Sequence, residues 1–444
     1  MKFKLFLTCI LCCITPLITL HPLEEIRVCL SKSNSLDPLY LGKITCSDGS
    51  FSDSYLTQLR SVLRFDMHHN GEAEVIPYHP DKEKALATAA DSFHAAKWRA
   101  WGITYAVQVE VKEQSLFLSC YSSHNSSLKK FTPVKLSGVL SQDRKLLHRL
   151  SDHLFKALWD KPGIASSKIL YAMKVQKQQK VISEIWCCDF DGGNAVQLTH
   201  ENNYCITPVF LSSGSNQFLY VSYQYGVPKI CIAPLSGGKG QKILDLKGNQ
   251  LLPAVSPQKD QIAFISDASG RADLFIAPIS KEGRETSKPL QLFSYPRSTQ
   301  ASPTFSPDGT QIAFVSDKEG MPCIYLIPSS YQTKRQSPIL LSKKNRENSC
   351  PAWSPDGTKL AYSSKTDGVR QIWIYDFNSR EEWQLTDGPT HKENPAWAPN
   401  STHLVFNSTD GHSSELYLVN LNQPETIKIT SGEGVKHYPA WVGK

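Results

Sequence analysis

The sequence predicts a six-bladed β-propeller preceded by a small α/β domain, and three observations carry that prediction. A proline-containing signature recurs at Pro208, Pro253, Pro303, Pro351, Pro395 and Pro439, at spacings of 45, 50, 48, 44 and 44 residues. Each recurrence opens a stretch of short strand patterns and turn residues. It is most legible in Cys350-Pro351-Ala352-Trp353-Ser354-Pro355-Asp356-Gly357 running into Lys359-Leu360-Ala361-Tyr362. A period and content of this kind mark a propeller with one blade per repeat. Residues 24–160 carry helix and strand patterns without the repeat, which sets them apart as a separate α/β unit. The fold alone assigns no function.

Residues 1–20 read as an export signal. Lys2 and Lys4 form a basic start, and Leu5–Leu20 is apolar, broken by Pro16 and short for a membrane span. No pair of small residues before His21 marks a cleavage point. Cys9, Cys12 and Cys13 lack the flanking residues of a lipidation site, so an exported soluble protein is favoured, with no direct membrane span. The net charge of +7 includes Lys2 and Lys4, and no five like charges stand in a row. Neither a nucleic-acid stripe nor a polybasic membrane patch is expected. Beyond the leader lie nine cysteines: Cys29, Cys46, Cys120, Cys187, Cys188, Cys205, Cys231, Cys323 and Cys350. An odd, irregularly spaced set defines no disulfide framework, and most are expected to be buried small hydrophobes or free thiols.

Within the N-terminal domain (21–160), Ile26–Leu30 reads as a short strand. Ser52 caps a helix whose apolar face is Tyr55, Leu56, Leu59, Val62 and Leu63, ended by Asn70-Gly71. Ala85–Phe93 reads as a second, alanine-rich helix. Ile103, Tyr105, Val107, Val109 and Val111 alternate with polar or small residues as a half-buried strand, and Glu113-Gln114 turns it into a partner at Leu116–Tyr121. Leu146, Leu147, Leu150, Leu154, Phe155 and Leu158 lie at helical spacing up to Pro162-Gly163. Residues 161–168 form the linker and 169–444 the propeller.

In each repeat the proline is expected at the start of the first strand, where it costs no ladder bond. The residue two positions on (Phe210, Val255, Phe305, Trp353, Trp397 or Trp441) packs between blades. Ser-Pro-Asp-Gly then turns the chain, with glycine taking the positive φ. Second strands occur at Ile169, Phe218, Ile262, Ile312, Leu360 and Leu404. The first blade lacks its own opening strand, and Tyr438-Pro439-Ala440-Trp441 is left over at the end. The C-terminal strand is therefore expected to complete blade one and close the ring.

An α/β domain followed by six P-A-[WF]-S-P-D-G-x-x-[IL]-A-[FY] repeats and a final P-A-W resembles the TolB family, the periplasmic propeller component of the Tol–Pal envelope system. The likeness extends to Glu25-Ile26-Arg27-Val28 and to Trp98–Gly102. Val255, Gln258-Lys259-Asp260 and Leu211–Ser215 depart from the repeat. The resemblance implies a non-catalytic adaptor. Its channel mouth would bind the peptidoglycan-associated lipoprotein Pal, and its N-terminal tail (Leu23–Thr45, with Glu25, Ile26, Arg27 and Val28 as contacts) would engage TolA, with other Tol or outer-membrane proteins as further partners. Such an adaptor supports outer-membrane integrity and envelope constriction at division. The loops entering each first strand open on one end of the channel. Their polar residues Tyr204, Asn249, Gln250, Ser298, Thr299, Gln300, Glu347, Asn348, His391, Glu393, Asn394, His437 and Tyr438 are the candidate partner contacts.

The motif search yields no catalytic set and no cofactor. G-x-S-x-G and H-E-x-x-H are absent, and Gly237-Gly238-Lys239 lacks the rest of a phosphate loop. Asp189-Phe190-Asp191-Gly192-Gly193-Asn194 lacks the closing glutamate of a calcium loop and reads as a hairpin turn. His68-His69, with His79 and His94, is not a metal set, because adjacent side chains on a helix end point apart. Cys187 and Cys188 alternate across a strand. The sequons at Asn125, Asn400 and Asn407 receive no function. A propeller hydrolase and a small-ligand propeller are the competing readings.

Overall fold

The computed structural model describes residues 36–90, 92–212, 214–330 and 337–442. The expected export signal, the Ile26–Leu30 strand, Cys29 and the expected Glu25–Val28 contacts lie outside the described residues.

The α/β domain is built on one mixed sheet. Its strands are β1 (Asp37–Cys46), β2 (Ala73–Val75), β3 (Tyr105–Lys112), β4 (Ser115–Ser122), β5 (Leu128–Lys130) and β6 (Val134–Lys135). The order is β2-β1-β3-β4-β5, with β6 also on β4. Helix α1 (Asp53–His68) starts as expected, Ser52 Oγ accepting the Tyr55 amide. With the long helix α4 (Leu140–Trp159) it covers one sheet face through Leu59, Leu63, Leu147, Leu150 and Leu154. The β3–β4 turn falls at Glu113-Gln114, both at positive φ.

Two expectations for this domain are corrected. The second helix starts five residues before Ala85 and stops short of Phe93, as α2 (Pro80–Ala87), followed by α3 (Ala95–Ala100). Pro80 opens α2, where its missing N–H costs nothing, and His79 caps it. Residues 37–45, assigned to the N-terminal tail, instead form most of β1. Leu39, Tyr40 and Leu41 are fully buried between β2 and β3, so only residues before this strand remain for a tail. A strand buried on both faces reads as an apolar run without alternation, which hid it from the pattern search. Tyr40, Leu86, Trp98, Ala106 and Tyr121 form the core on its second face.

Six four-stranded antiparallel sheets follow among the described residues. Blade one holds β7 (Lys168–Lys177), β8 (Lys180–Asp189) and β9 (Val196–Gln197), and its innermost strand is the C-terminal Val435–Val442. Trp441 pairs with Ile169 and Ala440 with Leu170, so the ring closes as the sequence requires. The innermost strands of the other blades are Cys205–Phe210, Gln250–Val255, Gln300–Phe305, Asn348–Trp353 and His391–Trp397. Phe305 and Trp397 pack against the preceding blade, the latter donating its indole N–H to Ala352 O at 3.0 Å. Gly309 and Gly357 take φ of 75° in the Ser-Pro-Asp-Gly turns, and Lys259 takes 60° where that glycine is missing.

The prolines sit inside the first strands, not at their starts. Each follows a residue at positive φ: Thr207, Leu252, Ser302, Cys350, Asn394 and Tyr438, with φ from 46° to 54°. In every blade these two residues oppose one residue of the second strand, giving a β-bulge. The opposed residue is aromatic each time: Tyr220, Phe264, Phe314, Tyr362, Phe406 and Tyr171, all 2% exposed or less. The innermost strand has no inner neighbour, so proline forfeits no ladder bond there. A left-handed conformation costs a non-glycine residue about 1–2 kcal/mol. The buried aromatic beneath each bulge offsets that cost.

The α/β domain sits on the propeller end that carries the first-to-second and third-to-fourth strand turns. His403 Nε2 lies 3.1 Å from His69 O, Asn422 Nδ2 donates to Gly71 O at 3.3 Å, and Asn194 Nδ2 donates to Ser141 O at 2.9 Å. Phe65 meets Phe190 edge-on at 5.3 Å. The eight described cysteines are free, and Cys187 and Cys188 face different cores.

Three stability measurements test this construction. Deleting residues 435–444 is expected to lower the melting temperature of the whole propeller in one cooperative transition; an unchanged melting profile would sink C-terminal closure. Phe314→Ala should cost about 3–5 kcal/mol in denaturant unfolding, the usual cost of emptying a buried aromatic site. Thr207→Asn should gain about 1 kcal/mol, because asparagine visits the left-handed region readily and a β-branched residue does not. A lower midpoint for Thr207→Asn would contradict strain at the bulge.

Candidate protein-docking face

Successive blade strands are antiparallel, so the loops entering the first strands share one end of the ring with the second-to-third strand loops. The α/β domain covers the other end, which leaves this face clear of it. At the axis the six bulged residues and their prolines line a cavity of about 130 Å³. Cys350 Sγ donates to Asn394 Oδ1 at 3.1 Å, and Asn394 Nδ2 donates to Asn407 Oδ1 at 2.8 Å. Burial pushes the Cys350 thiol up. It also carries the Tyr438 phenol up to about 12, with Cys350, Tyr204, Glu393 and Tyr223 adding to the rise. Both groups are therefore neutral at physiological pH, and the innermost ring offers polar but uncharged atoms.

The predicted contacts sort by their distance from the proline. Tyr204, Asn249, Thr299, Glu347 and His391, four residues before it, are partly or fully exposed on the rim. Gln250, Gln300 and Asn348, three before it, are 0–2% exposed, and Ser298 is also buried. Their bonds are internal to the ring, and those of Gln250 and Asn348 reach the preceding blade. Gln250 Oε1 accepts the Ile230 amide at 3.1 Å, Gln300 Nε2 donates to Ser298 Oγ at 3.0 Å, and Asn348 Nδ2 donates to Ser342 Oγ at 2.7 Å. Glu393 and His437, two before the proline, and Asn394 and Tyr438, directly before it, are half-buried around the channel mouth. The alternation of a strand explains the split, since neighbouring residues point to opposite sides.

The rim has two chemistries. Around blades five and six it is charged: Lys365 pairs with Glu347 at 3.0 Å, and Arg370 pairs with Glu393 at 3.3 Å. Arg370 also donates to Glu347 O at 3.1 Å, and its amide donates to His391 Nδ1 at 3.1 Å. Around blades one and two it is aromatic and apolar. Tyr204 meets Tyr223 edge-on at 5.6 Å, His437 lies 6.0 Å from Tyr438, and Tyr225 and Val227 are exposed. Asn249 and Thr299, between these sectors, are held by Asp267 and Asp317 through side chain and backbone amide.

Sequence reasoning missed Lys365, Arg370, Tyr223, Tyr225 and Val227. All lie in or beside the second-to-third strand loops, which share this end of the ring, and the alternating strand count could have found them. At the end of α1, His68 Nδ1 accepts the Val75 amide at 3.1 Å, and burial pushes His69 down to about 4. No helix among the described residues is long and apolar enough to cross a membrane.

Comparison with known proteins agrees with this architecture. The family model of the TolB beta propeller domain matches residues 155–444. A TolB homolog of Protochlamydia amoebophila is 49% identical over 404 residues, covering 88% of this chain and 86% of its own. A TolB homolog of Chlamydia trachomatis serovar L2 is 37% identical over 390 residues, covering 87% and 84%. The crystal structure of TolB from Acinetobacter baumannii superposes with a TM-score of 0.75 at 20% identity, covering 92% of this chain and 97% of that one, and shares the fold. With its propeller matched and these relatives aligned over most of their length, the chain belongs to the TolB family.

Proposed function

We propose that this protein is a non-catalytic periplasmic adaptor of the Tol–Pal system that receives the peptidoglycan-associated lipoprotein on the channel mouth and engages TolA through the residues preceding β1. The observation that carries the reading is the position of the predicted face. It lies on the propeller end opposite the α/β domain, and it combines polar bulge residues with half-buried aromatic anchors. Tyrosine and arginine are the residue types that most often dominate protein interfaces. Tyr204, Tyr223, Tyr438 and Arg370 supply them around the axial cavity. Family membership supports an adaptor over a hydrolase. The axial cavity of about 130 Å³ is well below the roughly 300–1,000 Å³ of drug-sized ligand sites, which disfavours a small-ligand reading. In this reading the domain boundaries follow the sequence, with a leader over 1–20, the α/β domain to 160, a linker over 161–168 whose last residue already opens β7, and the propeller beyond.

Leaderless protein is expected to recover a peptidoglycan-associated lipoprotein from a lysate of the source cells. Tyr438→Ala and a Glu347→Lys/Glu393→Lys double variant should each weaken that recovery about tenfold or more, the loss expected from removing an interface anchor. Their melting temperatures should stay close to the parent's. Undiminished recovery by both folded variants would move the docking site off this face.

A further inference from the structure

Six charged side chains meet where the α/β domain sits on blade one. α4 supplies Arg144 and His148, α1 supplies Asp66, β7 supplies Lys168, and β8 with its following turn supplies Asp189 and Asp191. His148 Nδ1 lies 2.9 Å from both Asp66 carboxylate oxygens, and His148 Nε2 lies 3.4 Å from Asp189 Oδ2. Arg144 Nε donates to Asp189 at 3.1 Å and its Nη2 pairs with Asp191, while Lys168 pairs with the other Asp189 oxygen. His148 and Asp66 are each 2% exposed.

Two counts argue for a protonated ring. A neutral imidazole has one N–H and one lone pair, so one ring nitrogen would set its lone pair toward a carboxylate, with only the more distant Arg144 Nη2, 3.5 Å from Nε2, to offset it. Three carboxylates face two cationic side chains, Arg144 and Lys168, and an unbalanced buried charge is strongly unfavourable. A doubly protonated His148 resolves both. Asp66, His148 and Asp191 are close enough to one another to hold a metal ion. Arg144 and Lys168 already supply the positive charge that such an ion would bring.

The same residues reach the strand that closes the ring. Lys168 pairs with Asp189 along the β7–β8 ladder and with Val442 of the C-terminal strand on its other side. Trp441 donates its indole N–H to Ser167 Oγ at 2.7 Å and stacks on Phe190 at 6.4 Å. Phe190 in turn touches Phe65 of α1 and His148 of α4. We infer that the imidazolium of His148 is the pin of an ionic latch, and that through Asp189, Phe190 and Trp441 it makes domain docking and ring closure one cooperative event.

Burial is the largest influence on both partners, working downward on His148 and leaving the Asp66 carboxyl raised even beside the imidazole. Asp66 and Asp189 on opposite edges of the ring outweigh it and carry His148 up to about 10. Against the same burial, His148 and Lys168 hold the Asp189 carboxyl well below its usual range. A group raised on folding contributes fully below its unfolded value, roughly pH 6.5, and its contribution is lost as pH rises through about 10. The Asp189 contribution is present above its unfolded value, roughly pH 4, and is lost as pH falls below it. Arg144, raised against its burial by Asp191 and Asp189, keeps its charge across this window, so the latch opens at the alkaline end when His148 loses its proton.

The test uses the full chain. Long-range proton–nitrogen spectra at pH 8 should show both ring nitrogens of His148 protonated; one unprotonated nitrogen at that pH overturns the proposal. Hydrogen exchange then reads the coupling. His148→Gln keeps the bulk and one donor but removes the charge, and should speed exchange in α4 and in Val435–Val442 together, by about tenfold or more. Trp441→Phe, which removes only the indole donor, should loosen the same two segments by a smaller factor. If His148→Gln does not fold, Asp191→Asn, at the edge of the cluster, replaces it. Loosening of α4 with the C-terminal strand unchanged refutes the cooperative link, and joint acceleration supports it.

Discussion

A ring of wedge-shaped sheets has no free ends only when one sheet is assembled from both extremities of the repeat array. In this chain the requirement falls on residues 435–442, which lie against β7 some 270 residues upstream in sequence. Closing so long a loop is entropically costly, and the cost grows slowly with length. The return comes at once in several forms: a paired edge, a half-buried tryptophan against Phe190, and the sixth bulge of the channel. The positions of the other five blades, and of the face they share, depend on this contact.

The propeller was legible because its repeat encodes packing at fixed offsets. The aromatic of the second strand fills the space beneath the bulge, and glycine or a tolerated substitute turns the chain after Ser-Pro. The α/β domain was less legible. β1 carries no alternation because both of its faces are covered, and the start of α2 is set by Pro80 and His79, not by alanine content. The docking face was visible as a set of loops but not residue by residue. A one-residue step along an entering strand moves a side chain from the rim to the blade interior. Asn249 and Gln250 are thus neighbours with opposite roles.

The ionic cluster beneath blade one was invisible in sequence for a different reason. Arg144 and His148 lie four residues apart on the buried side of α4, beside Leu147, Leu150 and Leu154. Asp66 stands likewise among the apolar residues of α1. Each is an oddity in its own segment. They make sense only once the fold brings them to Asp189 and Asp191, whose hairpin turn looked self-sufficient. Buried charges placed this way set orientation more than net stability, because their desolvation consumes most of the attraction.

The six prolines at the axis also restrict how any polypeptide can approach the channel. An extended segment commonly binds a sheet by adding itself as one more strand along an exposed edge. Here every innermost edge is interrupted at mid-strand by a residue without an N–H and by a left-handed neighbour. Main-chain zippering is thereby denied to the whole lumen, and the channel is protected from aggregation by the same device. A visitor to this mouth has to be read by its side chains and its shape, so selectivity lies in the loops and not in the backbone they surround.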